Sequence, residues 1–258
     1  MADLRDTDKL AQAAQEADGV IHTAFIHDFS NFAEVVQIER NVIAAFVSAL
    51  SGSGKPFVAT SGTGVIGDTG ERIVDDTEKV SSEDIFLTVR AKAEQDIHSA
   101  AKHNIRSSIL RLPVFVYGRG GSTFIPFLIK DAREAGVARY VEPGNNKYSV
   151  VHVDDVAELY VLALEKGTAG SVYHAVSESG ITVKAIAQAT ANLLGCEAQG
   201  ISKDEAKKLW GKELATFFSI NNQISSSKAE KELGWKPQVT SKILEDIEHG
   251  SYRNLRDK

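Results

Sequence analysis

Gly62, Gly64 and Gly67 lie in the run KPFVATSGTGVIG with the spacing G-x-G-x-x-G, a pattern that can wrap a dinucleotide pyrophosphate. That chemistry needs a strand, the glycine turn, and a helix whose N-terminal amides face the phosphates. Phe57-Val58-Ala59, preceded by Pro56, supplies a short apolar strand. The helix does not follow. The next residues, DTGERIVDDTEKVSSED, are polar, rich in turn formers and without apolar positions at i, i+3, i+4, i+7. No second strand ending in an acidic ribose ligand comes at the required distance either. The spacing alone is a decoy. A second group with chemical potential is His27, beside Asp28, because an imidazole titrates in the range useful for proton transfer near neutrality. The competing account of a lone loop histidine is a solvated surface residue. His152, in VVHVDD, reads as structural, and Asp155 with Glu158 has the spacing of a capping box.

The elements that would position these groups alternate along the chain. Residues 6–17 read as a short helix with Leu10, Ala13, Ala14 and Ala17 on one face, and 19–25 as a compact apolar strand. Residues 32–50 keep helical spacing through Val35, Val36, Val42, Ile43, Phe46 and Leu50. A strand at 57–60, a polar excursion over 67–84, a helix at 86–103 and an apolar strand at 109–116, with Pro113 near its end, come next. Beyond Gly118, helices are expected at 124–135, 156–166, 183–194 and 203–209, with short extended pieces between them. Near-continuous apolar strands alternating with helices point to a parallel sheet buried on both faces, an α/β architecture.

Composition narrows the function classes. A chain of 258 residues that is 43% hydrophobic can bury a sizeable core. Its net charge of −6 argues against a nucleic-acid binder, which usually carries a basic patch. Cys196 is the lone cysteine, so no internal disulfide or thiolate metal cluster can form. The first residues, MADLRDTDKL, are charged and do not read as a signal peptide, and no apolar run approaches the ~20 residues of a membrane helix. The expectation is a soluble, cytoplasmic protein acting on a small-molecule substrate, with no nucleic acid, no membrane and no metal, and with room for a homodimer.

Four segments, in order, resemble the extended (atypical) short-chain dehydrogenase/reductase family, the group of NAD-dependent epimerases, dehydratases and related reductases. They are DGVIHTAF, similar to the family's fourth strand; RNVIAAFVSAL, with Asn41 at the family's helix asparagine; SVVHVDDVAELYVLALE; and SSSKAEKELGWKP, the usual C-terminal phrase. LRLPVFVYGRG fits the sixth strand and its turn. The resemblance covers nearly the whole chain. It implies an NAD(P)-dependent oxidoreductase with NAD or NADP bound across the strand ends. Asp3-Leu4 would contact adenine, Ala24 and Phe25 would touch the nicotinamide side, and Asn41 would organise nearby backbone. Pro113 and Val114 would border the carboxamide, and Ser61 or Thr63 would hold the substrate oxygen. Gly64 to Gly67 then fall in the turn after the fifth strand.

Two departures from that pattern matter. The chain starts near the family's third strand, without the first strand and its glycine turn, so an N-terminally truncated product and an exposed edge on the strand at 19–25 are expected. Counting back from Glu94-Gln95 puts Phe86 and Arg90 where the family has its Tyr and Lys, and no Y-x-x-x-K occurs in this helix. Phenylalanine cannot transfer a proton, and arginine stays charged. Arg90 could still grip ribose, and the proton would come from water or His27. The fold expected is an incomplete doubly wound, Rossmann-like parallel sheet with a small C-terminal substrate lobe. Residues 1–120 would form the remainder of the NAD(P)-binding domain and 121–258 a mixed region of sheet-completing segments and the lobe. The substrate would be a small carbonyl, hydroxyl or sugar-like compound. The alternative is a non-catalytic, cofactor-sensing or scaffold member that has lost its proton relay.

Overall fold

A computed structural model of the chain describes residues 2–27, 31–80 and 85–256, with side chains for all of these except 85–89. Asp28 and the side chain of Phe86 lie outside the described residues. Among those described, four strands form a parallel sheet in the order β1-β2-β3-β7: β1 (Val20–His22), β2 (Pro56–Gly62), β3 (Arg106–Leu112) and β7 (Ser171–His174). β1 stands at one edge, paired in register with Phe57 to Ala59 of β2.

Strand alternation divides the core into two layers. Phe57, Ala59 and Ile109 face a cluster built with Ala14 of α1 (Thr7–Glu16), Val42, Ile43, Phe46 and Leu50 of α2 (Phe32–Leu50), and Ala93 and Ile97 of α3 (Ile85–Ala100). Val58, Leu110 and Tyr173 face the opposite layer. There they meet Val156, Leu159, Tyr160 and Ala163 of α5 (Val153–Lys166), together with Leu233 and Trp235. The spacing i, i+3, i+4, i+7 on α5 is the stripe that such a layer requires. Helices on both faces of a parallel sheet make this a doubly wound, Rossmann-type α/β fold.

A second body is built from α4 (Phe124–Ala135), β5 (Val137–Val141), α6 (Val183–Leu194), β9 (Glu197–Ile201), α7 (Lys203–Trp210), α8 (Lys212–Phe217) and α9 (Ile243–His249). β4 (Phe115–Tyr117), β6 (Lys147–His152) and β8 (Glu178–Thr182) form a small sheet beside it, and Phe115, Tyr148 and Phe218 fill its core.

Two expectations need correction. The single strand read at 109–116 is two strands in different sheets: β3 stops at Leu112, and β4 begins at Phe115. Pro113 has no N–H to donate to a ladder, so the chain leaves the main sheet there and passes to the smaller one. The capping box at Asp155 and Glu158 does not form. His152 caps α5 instead, its Nδ1 accepting from the Asp154 N–H at 3.1 Å. Asp155 is buried in the first turn, where its Oδ1 accepts from the N–H groups of Gln238 and Val239 at 2.7 and 3.2 Å. Its carbonyl accepts from the Trp235 indole N–H at 3.0 Å.

Candidate active site

A cavity of about 360 Å³ opens at the C-terminal ends of β1, β2 and β3, where parallel α/β sheets bind their ligands. Thr23 and Phe25 reach it from beyond β1, Thr60 to Gly62 from the end of β2, and Leu112 to Val114 from the crossing between the two sheets. The second body closes the other side with Phe124 of α4 and Phe217 of α8.

The glycine pattern serves this wall. Gly62 ends β2, residues Thr63–Ile66 form a 3₁₀ turn, and Gly67 takes a φ of 79°, which a side chain rarely tolerates. Irregular backbone and a turn at Gly70 and Glu71 follow in place of a helix. Asn222 fixes the turn by donating through Nδ2 to the carbonyls of Thr63 and Gly67 at 3.1 and 3.0 Å.

Ser61 and Thr63 are placed differently by this turn. Thr63 is fully buried, and its hydroxyl donates to Asn222 Oδ1 at 2.5 Å; it does not line the cavity. Ser61 lines the cavity, is 4% exposed, and its Oγ has no hydrogen-bond partner. Enclosing a hydroxyl without a partner costs about 1–3 kcal/mol, so a ligand oxygen at this point recovers that loss. Thr60 is committed to structure: its Oγ1 donates to the His22 carbonyl at 2.8 Å and lies 2.5 Å from the Tyr160 hydroxyl.

Arg90, on α3, enters the cavity wall through a charged cluster. Its guanidinium is ion-paired with Glu39 of α2, donates to the Thr60 carbonyl at 3.0 Å, and lies 4.2 Å from the Phe25 ring centroid. Burial pushes the Glu39 carboxyl up to about 7, with Arg90 pulling the other way. One turn along α3, Glu94 accepts a bidentate pair from Arg111 of β3 at 2.9 and 2.7 Å. Glu39 is not among the residues singled out from sequence. A signal was present, because Glu39 falls on the buried α2 stripe of Val35, Val42 and Phe46 and so needs a buried cation.

His27 also lines the cavity, with its ring edge-on to Phe25 at 5.3 Å between centroids. Burial lowers its pKa, and the Arg90 charge lowers it further. Pro113 and Val114 line the same space. The remaining residues implied by resemblance lie elsewhere. Ala24 is exposed and outside the lining, and Asp3 hydrogen-bonds the Arg5 N–H at 3.0 Å. Leu4 packs against the layer of α1 and α2. Asn41 accepts from Gln37 on the outer side of α2, in a groove shared with Arg40 and Asp96. Phe124 reaches the cavity, whereas Tyr148 is buried and donates to the Phe217 carbonyl.

Comparison with known proteins agrees with this geometry. Residues 1–177 match the NAD dependent epimerase/dehydratase family. An uncharacterised protein of Schizosaccharomyces pombe is 39% identical over 249 residues, spanning 96% of this chain and 82% of its own. An uncharacterised protein of Saccharomyces cerevisiae is 38% identical over 245 residues, or 95% of this chain and 80% of its own. A double mutant of the dTDP-glucose 4,6-dehydratase DesIV from Streptomyces venezuelae, crystallised with NAD, superposes with a TM-score of 0.79 at 19% identity, over 100% of this chain and 78% of that one. With the doubly wound sheet, the strand-end cavity and the family match over most of its length, the chain belongs to the NAD dependent epimerase/dehydratase family.

Proposed function

We propose that this protein is an NAD(P)-dependent oxidoreductase that interconverts a small carbonyl compound and its alcohol in the strand-end cavity. The observation that carries the reading is Ser61, a residue of the cavity lining whose buried Oγ has no hydrogen-bond partner. The residues present suit a nicotinamide ring: Phe25, Pro113 and Val114 supply apolar faces, and the site sits at the carboxyl ends of parallel strands. A nicotinamide cofactor supplies or accepts the hydride when bound. Ser61 donates a hydrogen bond to the substrate oxygen and fixes its position. The proton comes from His27 or from water, because the family's tyrosine position holds Phe86. Arg90, neutralised by Glu39, braces Phe25 and the end of β2.

The second reading is a cofactor-sensing member without turnover. It is favoured by Arg90, whose guanidinium is engaged by Glu39 and the Thr60 carbonyl. Oxidation of NADH and NADPH, followed with a panel of small aldehydes and ketones, separates the two. Turnover that falls at least ten-fold in Ser61→Ala supports the enzyme. Cofactor binding without turnover on any member of the panel supports the sensor.

A further inference from the structure

We propose that the substrate is an uncharged aryl ketone or aldehyde, and not a nucleotide sugar; this rests on the oxidoreductase reading above. Three features of the cavity carry the inference. Its walls are aromatic and aliphatic on both sides: Phe25 and Phe32 rise from the β1–α2 side, Phe124 and Phe217 from the second body, and Leu112 and Val116 from between them. Such walls favour a flat apolar ring, which gains from edge and face contacts with phenylalanine as well as from burial.

The charge on the lining points the same way. A diphosphate is held by unpaired cations, by converging helix N-terminal amides, or by both. The starts of α4 (Thr123, Phe124) and α5 (Val153) do reach the lining, but no unpaired cation stands beside them among the described residues. Among the described residues of the lining, the guanidinium is that of Arg90, and it is already ion-paired with Glu39. His27 has its pKa lowered by burial and by Arg90, so it brings no fixed positive charge at neutral pH. Arg119 and Arg139, which could have served a diphosphate, are bound to Asp154 and Asp131 and lie outside the lining.

The third feature is the buried hydroxyl of Ser61, the one among the described lining residues that is enclosed without a partner; Thr23, Ser122 and Thr123 also bring hydroxyls to the lining. Thr60 Oγ1 is held by the His22 carbonyl and Tyr160, which leaves Ser61 Oγ as the enclosed hydroxyl without a partner at the end of β2. A single carbonyl oxygen attached to an apolar ring satisfies that donor. The cavity volume, about 360 Å³, lies at the small end of ligand sites and suits a ring system of modest size.

The test is calorimetric titration of the purified chain with 2-acetylnaphthalene and with UDP-glucose, alone and in competition, without cofactor. The expected result is saturable binding of the ketone, undisturbed by UDP-glucose. Ser61→Ala should weaken it about five-fold, the value of one hydrogen bond. Val116→Trp, which fills the cavity, should abolish it while Ser61→Ala retains the wild-type circular dichroism. Displacement of the ketone by UDP-glucose, or no ketone binding by folded wild-type protein, overturns the proposal. The same samples, assayed for NADPH consumption, keep the two claims apart. Ketone binding without NADPH oxidation defeats the oxidoreductase reading and leaves the specificity standing. NADPH or NADH oxidation with a nucleotide sugar does the reverse.

Discussion

At the scale of single residues, the cavity is marked by a hydroxyl left unpartnered, Ser61, and a cation neutralised, Arg90. Ser61 and Thr63 are two positions apart and equally eligible from sequence, because both follow the same strand. The sequence cannot say which hydroxyl is consumed internally, since Asn222 is 159 positions away from Thr63 along the chain. Ser61→Ala is therefore expected to lower kcat, with little loss of stability, while Thr63→Val destabilises the fold by about 1–3 kcal/mol in a urea titration, because it strands Asn222 Oδ1. His27 gives a prediction with a sign. Its pKa is lowered, so its protonated form grows as pH falls. If it donates the proton, the rate of carbonyl reduction rises as pH is lowered below the ordinary histidine range, and His27→Gln flattens that limb. A pH–rate profile that is the same in both proteins would assign the proton to water.

At the scale of elements, packing ties together segments that look unrelated in sequence. Periodicity was enough to place α2, α4 and α6, whose ends match the spacing of their apolar stripes. It was not enough for α8 and α9, which are six and seven residues long and too short to show a stripe. Nor could it divide β3 from β4, because the apolar run continues through Pro113 and the change of sheet is a tertiary event. The two family-like phrases at 149–165 and 225–237 meet through Asp155 and Trp235. Trp235 is fully buried, so Trp235→Ala should cost about 3–5 kcal/mol by denaturant unfolding. The Glu94–Arg111 pair joins α3 to β3 with both side chains under a tenth exposed. Glu94→Ala strands a buried guanidinium and should cost about 3–5 kcal/mol, more than the loss of the exposed Lys207–Asp204 pair, which is worth less than about 1 kcal/mol.

At the scale of the whole molecule, the buried charges and histidines set how stability responds to pH. His22 and His174 are pressed from 6.5 down to about 4, first by burial and then by Arg90 and Arg111 respectively. The unfolded chain takes up those protons and the folded chain does not, so their contribution is present above about 6.5 and is lost as pH falls towards 4. Glu39 works in the opposite sense. Raised from 4.5 to about 7, it favours the fold below 4.5 and loses that contribution as pH rises through 7. Two histidines against one carboxylate leave a net loss between pH 6.5 and 4.5. The urea midpoint is expected to fall across that interval, and His174→Gln should flatten the decline. A midpoint that rises on acidification would mean Glu39 dominates.

Hydride chemistry at the ends of β1, β2 and β3 requires that the cavity there receive a nicotinamide cofactor. Fluorescence titration of the purified 258-residue chain with NADH and NADPH, alongside a size measurement on the same sample, tests it most directly. Saturable binding by monodisperse protein is expected, lost in Val114→Trp, whose side chain would occupy the space beside Pro113. Titration of folded, monodisperse protein without saturable binding of either cofactor, or binding unchanged by Val114→Trp, would contradict it.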